Sequence, residues 1–395
     1  MIRLKDGETL AGLNNACVDR EYKGELEKKL KPVREESFPA RLVFERNDFS
    51  YVDVIVDPER DRRSGPKGYL PSAVLSALLL MCLKEMRSIL SLVRFLHSNP
   101  EWLKILNLKR RVRGVEVFTV PDRSTFYKLA GRIGFEGIVD IFARMVIGMM
   151  QSGIIKAESV SLDCSLIWAW FKDCRRKKDA GHLRNCRRRK SRDRDASWGY
   201  DHHNDRYVYG YKVHVMVDSD TGLPIMLTVT GAGYGENKTA AWFIIMLLKL
   251  SVRVRKFFAD MAYDSNATRL RVVRRLKAIP FIPLNPRNCK GTNEQEKKAR
   301  RRNLCLKFYR KNFIMDYWVD PYSEVFDEEY DARTFSEQLF SVEKGSLNLD
   351  SLKHKGRNWA MLHSACICIV TLAVAKTAAE IGRPDLMRCI KCFQG

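Results

Sequence analysis

The chain has 395 residues, with 70 Lys and Arg against 47 Asp and Glu, a net charge of +23 and a pI near 9.6. That length exceeds one ordinary domain and suits two or three units with sizeable cores. The charge excess favours polyanions, with nucleic acid the default partner, over acidic proteins of modest size, while 45% hydrophobic and 10% aromatic residues exclude a disordered basic tail.

The N-terminus, MIRLKDGETLAGLNN, has no apolar core of signal-peptide type, so export is not expected and a cytoplasmic, nucleoid-associated location is. Eleven cysteines then read as reduced thiols. Residues 1 to about 65 are polar and mixed in charge, with EYKGELEKKLKPVREES a solvated helix leading into a linker through Pro39. After the Gly65-Pro66 pair, Pro71 opens a long apolar helix predicted to run through Ser88 into LSLVRFLHSN, with EWLKILNL adding a turn or two.

In VPDRSTFYKLAGRIG (120–134), Asp122 or Ser124 suits a helix cap and Phe126, Leu129 and Ile133 share one face. Lys128 and Arg132 project elsewhere, a pattern that fits the second helix of a helix-turn-helix or a plain bundle serving as lid or dimer surface. FEGIVDIFARMVIGMMQSG closes an all-α region at Gly153.

The period then changes. SVSLDCSLIWAW (159–170), YGYKVHVMVDSDTG (209–222) and LPIMLTVTGAG (223–233) alternate as three strands of a meander. ENKTAAWFIIMLLKLS (236–251) is helical, VRKFFADMAYDS holds a short buried strand ending at Asp260, ATRLRVVRRLK is a helix, and AIPFIPLN a strand bounded by prolines. Three antiparallel strands followed by alternating helices and parallel strands make a mixed α/β sheet flanked by helices, in the ribonuclease-H-like order.

Two basic insertions interrupt it, near 172–206 and 285–328. The first, about half Lys and Arg over 175–194, suits a solvated loop or phosphate contacts with counterion release. Tyr309, Tyr317 and Trp318 in the second suit either core packing or stacking on bases. Farther on, WAMLHSACICIVTLAVA (359–375), like LPSAVLSALLLMCL (70–83), reads as a buried helix rather than a membrane span. Cys389 and Cys392 form a CxxC without the second ligand pair that zinc requires, and read as a solvated end of chain.

Phosphodiester cleavage needs charge neutralised on the transition state and a hydroxyl made nucleophilic, which two hard cations held by a few carboxylates supply. Asp163 lies mid-strand among apolar residues and Asp260 ends a buried strand; unpaired buried charges are costly, so two such residues are informative. A third carboxylate comes from YDARTFSEQLFSVEK (330–344). If helical, this stretch places Arg333, Glu337 and Lys344 at roughly 300°, 340° and 320° from Tyr330, one stripe, with Phe335, Leu339 and Val342 on a face that could dock on a sheet. An ordinary surface helix with an Arg/Glu pair at i, i+4 has the same pattern. Asp173, Asp264 and Glu343 are lookalikes, set aside because Asp173 lies past the strand, Asp264 suits a helix cap and Glu343 falls off the stripe.

Tyr330, Arg333, Glu337 and Lys344, at every spacing, resemble the Tyr-Arg-Glu-Lys signature of bacterial insertion-sequence transposases of the DDE class. SLDCS, GYKVHVMVD and FADMAYDS are similar to the blocks carrying that family's first two acidic residues, and the resemblance covers roughly 65 to 380. It implies that Asp163, Asp260 and Glu337 are the catalytic residues and bind two Mg²⁺ ions, for which Mn²⁺ substitutes. It also implies that Tyr330, Arg333 and Lys344 contact DNA phosphates, and that the enzyme cuts transposon ends and joins 3′-hydroxyls to target DNA, acting as a homodimer on double-stranded DNA without a membrane.

The expected division is a polar segment (1–65), a helical DNA-binding domain (66–153), a ribonuclease-H-like catalytic domain (154–350) and a C-terminal helix and tail (351–395). A nuclease of the same fold without strand transfer, or a decayed copy that only binds DNA, are the alternatives. Glu236 and Asn237, after the third strand, and the short second insertion depart from the family pattern.

Overall fold

The computed structural model describes residues 39–62, 68–112, 115–170, 193–201, 204–285 and 289–394. The polar segment through residue 38, Gly65 and Pro66, Asp173 and nearly all of the basic block 175–194 lie outside the described residues.

Before the sheet come helices α1 (Pro39–Arg46), α2 (Tyr51–Val56), α3 (Pro71–Leu83), α4 (Ile89–Ser98) and α5 (Glu101–Ile105), a hairpin of β1 (Lys109–Val112) and β2 (Val115–Phe118), and α6 (Arg123–Gln151). The region expected to be all-α thus also carries an antiparallel hairpin. Pro39 opens a docked helix rather than a linker: Ala40, Val43 and Phe44 are buried, and the Asn47 amide donates to the carbonyl of Ala373 at 3.2 Å. The long apolar helix is two helices. Glu85 takes a left-handed conformation (φ 52°) after Leu83, and Ser88 Oγ accepts from the Ser91 amide at 3.1 Å, restarting the helix as a cap. Asp122 stands at the N-cap of α6 without a side-chain cap bond, and Gly134 (φ 63°) kinks that helix, a conformation costly for any residue with a Cβ.

The sheet is built on β5 (Arg206–Asp218). One edge pairs antiparallel with β3 (Ser159–Trp168); the other is shared end to end by β4 (Ser197–Asp201) and β6 (Pro224–Gly231). Where these strands converge, a Cβ on Gly210 would lie 2.0 Å from the Ile167 carbonyl oxygen, so only glycine fits. β7 (Lys256–Ala259) runs parallel to β3, and β8 (Ile279–Phe281) parallel to β7, completing a six-stranded mixed sheet. Five of its strands stand where the sequence places strands, three by apolar alternation and two as short buried runs; β4 lies in the stretch expected to be an insertion loop.

Helices cover both faces. On one lie α11 (Thr334–Leu347) and α12 (Arg357–Glu380); on the other, α7 (Glu236–Lys249) packs with α8 (Asn266–Arg271), which continues as a π turn to Leu276. α9 (Glu294–Lys311) and α10 (Glu324–Tyr330) fill the second insertion. There Tyr309 is buried, edge-on to Trp318 at 4.9 Å, so that ring is core and not a platform for bases. α12 is long and apolar enough to cross a membrane by composition, but 89% of its most apolar window is buried inside the fold. One hydrophobic cluster runs from Ala40 to Phe393, joining the N-terminal helices to the sheet. Cys389 and Cys392 are joined by a disulfide, and Ile390, Cys392 and Phe393 are buried in that cluster, which corrects the expectation of reduced, solvated cysteines there.

Candidate active site

β3 places Asp163 opposite Val215 of β5, on the same face as Ser161, whose hydroxyl bonds that of Ser336 on α11 at 3.2 Å. On the parallel side Leu162 is in register with Ala259, and Asp260 follows as the next residue. Adjacent strands lie about 4.8 Å apart, so this register brings the two aspartates side by side. Glu337 arrives from the first turn of α11.

Arg333 ties these elements together. Its Nη1 donates to Glu337 Oε1 at 2.7 Å and its Nη2 lies 3.5 Å from Asp163 Oδ2. Its guanidinium sits 5.8 Å from the centre of the Tyr330 ring, and the Tyr330 hydroxyl donates to the carbonyl of Ala259 at 3.3 Å. The stretch predicted as one helix is broken: α10 ends at Tyr330, a 3₁₀ turn spans Asp331–Arg333, and α11 begins at Thr334. A 3₁₀ turn eclipses positions three apart, which lays Arg333 over Tyr330. Lys344 lies two turns beyond Glu337, about 10 Å along the axis, and pairs with Asp350 at 3.6 Å. The structure therefore gathers Asp163, Asp260, Tyr330, Arg333 and Glu337, while Lys344 extends the line away from them.

Burial pushes the Asp163 carboxyl up to about 6; Arg333 and the Cys164 amide hold it down, and the charges of Asp260 and Glu337 add to the rise. Burial likewise raises the Tyr330 phenol. Among the described residues, no three His, Cys, Asp or Glu side chains stand close enough to hold a metal ion, and Arg333 occupies the space between two of the carboxylates.

Behind the site, on the opposite face of β3, Glu236 accepts from Lys212 Nζ at 2.6 Å and from the Cys164 thiol at 3.7 Å. The odd carboxylate after the third strand is thus an ion pair supporting the strand that carries Asp163. Strand alternation carried the signal: Cys164, His214, Leu166 and Lys212 are register partners on that face.

The two lookalikes among the described residues, Asp264 and Glu343, are structural. Asp264 is buried between Arg269 (3.0 Å) and Arg301 (2.8 Å), and Ser265, not Asp264, caps α8. α11 docks through Ser336, Leu339, Phe340, Glu343 and Leu347, a face turned from the one expected, with Phe335 left half-buried. Glu343 is fully buried, accepts from the Cys368 thiol at 3.3 Å, and has Oε2 without a partner among the described residues. Burial pushes its carboxyl up to about 8, the thiol offsetting this only in part. The unfolded value is about 4.3, so the folded state binds the extra proton between about pH 4.3 and 8. Its stabilising contribution is full below that window and is lost as pH rises through 8. Glu343→Gln is expected to match wild type near pH 4 and exceed it at pH 8.5, the gap growing by about 1.4 kcal/mol per pH unit up to about pH 8; urea midpoints across that range check it, and a constant gap would contradict it.

The transposase DDE domain family matches residues 173–371, half of the chain, a stretch that holds Asp260, Glu337 and Lys344 and begins ten residues after Asp163. A comparison with curated proteins finds no match. Among solved structures, the cryo-EM structure of a piggyBac transposase synaptic complex with hairpin DNA aligns at 11% identity and a TM-score of 0.38, over 89% of this chain and 79% of that one. The chain belongs to the DDE transposases, enzymes that cleave DNA.

Proposed function

We propose that this transposase is of the bacterial insertion-sequence type with the Tyr-Arg-Glu-Lys signature. It cuts phosphodiester bonds at the ends of its element and joins the 3′-hydroxyl ends to target DNA. The observation that carries the reading is that strand-borne Asp163 and helix-borne Glu337 share one arginine, with Asp260 set beside Asp163 by the register of the neighbouring parallel strand. The sheet order supports a ribonuclease-H-like core. In the main domain, the third, second, first, fourth and fifth strands of that plan are β6, β5, β3, β7 and β8, the first three antiparallel and the rest parallel.

Asp163, Asp260 and Glu337 would hold two Mg²⁺ ions. The chemistry of the donors, though not yet their spacing around Arg333, suits hard cations: all three are carboxylates, and the charges of Asp260 and Glu337 help to raise Asp163, a repulsion that a cation relieves. Bound divalent ions supply Lewis acidity at the scissile phosphate and a nucleophilic hydroxyl. The chain's own residues orient the DNA. Arg333, anchored on Tyr330 and with a buried Nε lacking a partner among the described residues, offers a planar fork to a backbone phosphate, and Lys344 offers a point charge one phosphate or two farther along. The helices through residue 153 would bind the element end, two copies would pair the ends, and the enzyme would work in the cytoplasm.

Incubation of the full chain with labelled element-end duplex, Mg²⁺ and a circular plasmid tests this. Covalent joining of label to plasmid is the expected result. Nicking without joining would reduce the protein to a nuclease, and binding without nicking to a DNA-binding copy.

A further inference from the structure

The C-terminal turn carries two cations that the site described above does not use. Arg388 is exposed, yet its guanidinium is held in place: Nη1 donates to the Gln338 amide oxygen at 3.0 Å, and the group lies 5.0 Å from the centre of the Phe335 ring. Both partners are neutral, both lie in the first turns of α11, and they flank Glu337 in sequence. Among the described residues Arg388 has no carboxylate partner, and neither does Lys391, also exposed. An arginine ordered by an aromatic ring and an amide keeps donors of its fork free for an anion. Its place near the start of α11 also rules out the ordinary role of a cation at a helix C-terminus.

Between this turn and α11 runs a groove of about 250 Å³ lined by Ser341, Gly345, Ser346, Arg388 and Lys391, among others, with no acidic residue in its lining. Ser341 is one helical turn from Glu337, so the groove begins about 6 Å along the α11 axis from that residue. Ile390, Cys392 and Phe393 anchor the turn in the core, which fixes the two cations relative to α11.

We infer that this groove is a binding site for the DNA backbone, with Arg388 and Lys391 each neutralising a phosphate of the strand that runs along α11 past Glu337. The inference rests on the proposed function for the identity of the polyanion, and its test reads binding, so it can fail or hold independently of cleavage.

Each neutralised phosphate contributes about 0.9 to the slope of log affinity against log salt on duplex DNA. The full chain carrying Arg388→Ala and Lys391→Ala should therefore bind element-end duplex with a slope shallower by about 1.8 than wild type. Arg388→Lys, which keeps the charge, should retain the wild-type slope. A charge-matched control, Lys249→Ala with Arg253→Ala, removes two exposed cations at the other end of β7 from Asp260 and should leave the slope unchanged. Thermal midpoints report folding of each variant. A wild-type slope in the Arg388/Lys391 variant would overturn the proposal, as would an equal drop in the control, which would assign the effect to net charge alone. If wild type binds but never nicks the duplex, the proposed reaction fails while the slope comparison still decides the groove.

Discussion

Glu337→Gln is expected to slow Mg²⁺-dependent nicking of an element-end duplex by about 10³-fold or more while leaving duplex binding intact. On the proposed reading Glu337 helps to hold a cation, and losing such a carboxylate removes several kcal/mol of charge stabilisation in the transition state, each 1.36 kcal/mol being a factor of ten. The glutamate side chain is 55% exposed, and its one ion pair among the described residues, with Arg333, is a surface pair on that side. Such pairs contribute about 1 kcal/mol at most, so the substitution separates chemistry from folding. A variant that nicks at the wild-type rate would return α11 to the status of an ordinary amphipathic helix.

Arg333→Ala should lower the nicking rate by about 10²-fold or more, in the range found when one preorganised donor to a developing charge is removed. Two effects combine. The guanidinium that bridges Asp163 and Glu337 is lost, which leaves the Asp163 carboxyl buried without the cation that most opposes its rise. The fork proposed above to face a DNA phosphate is lost as well. Arg333→Lys should fall between wild type and the alanine variant, because an ammonium keeps the charge but cannot span two carboxylates in one plane. Single-turnover nicking at saturating protein is the measurement; equal rates for wild type and Arg333→Ala would show that the bridge is only structural.

How much of this was legible in the sequence depended on the range of the interactions involved. β3, β5 and β6 are long strands whose apolar period is set by two covered faces, and β7 and β8 are short buried runs; all five stand within a few residues of their expected limits. Asp163 and Asp260 come side by side because β3 and β7 start in register, Ser159 opposite Lys256, so residues equally far along them are neighbours. β4 escaped because SWGYD follows a highly charged block and gains its stability from pairing with β5 rather than from an apolar run of its own. The break at Arg333 escaped because a 3₁₀ turn and an α-turn share residue preferences, and the pair of faces that α11 presents shifted with it. Glu343 shows the limit most clearly: its place off the stripe set it apart from Glu337, but only packing against α12 reveals that it is completely buried while Glu337 faces solvent.

The central claim is that Asp163, Asp260 and Glu337 act as one catalytic unit. Nicking rates of Asp163→Asn, Asp260→Asn, Glu337→Gln and the triple variant, on one end duplex with Mg²⁺, test it most directly. Residues that act together are strongly non-additive. Each single substitution should therefore fall to nearly the rate of the triple; a single variant at the wild-type rate, or losses that multiply across the three, would contradict the account.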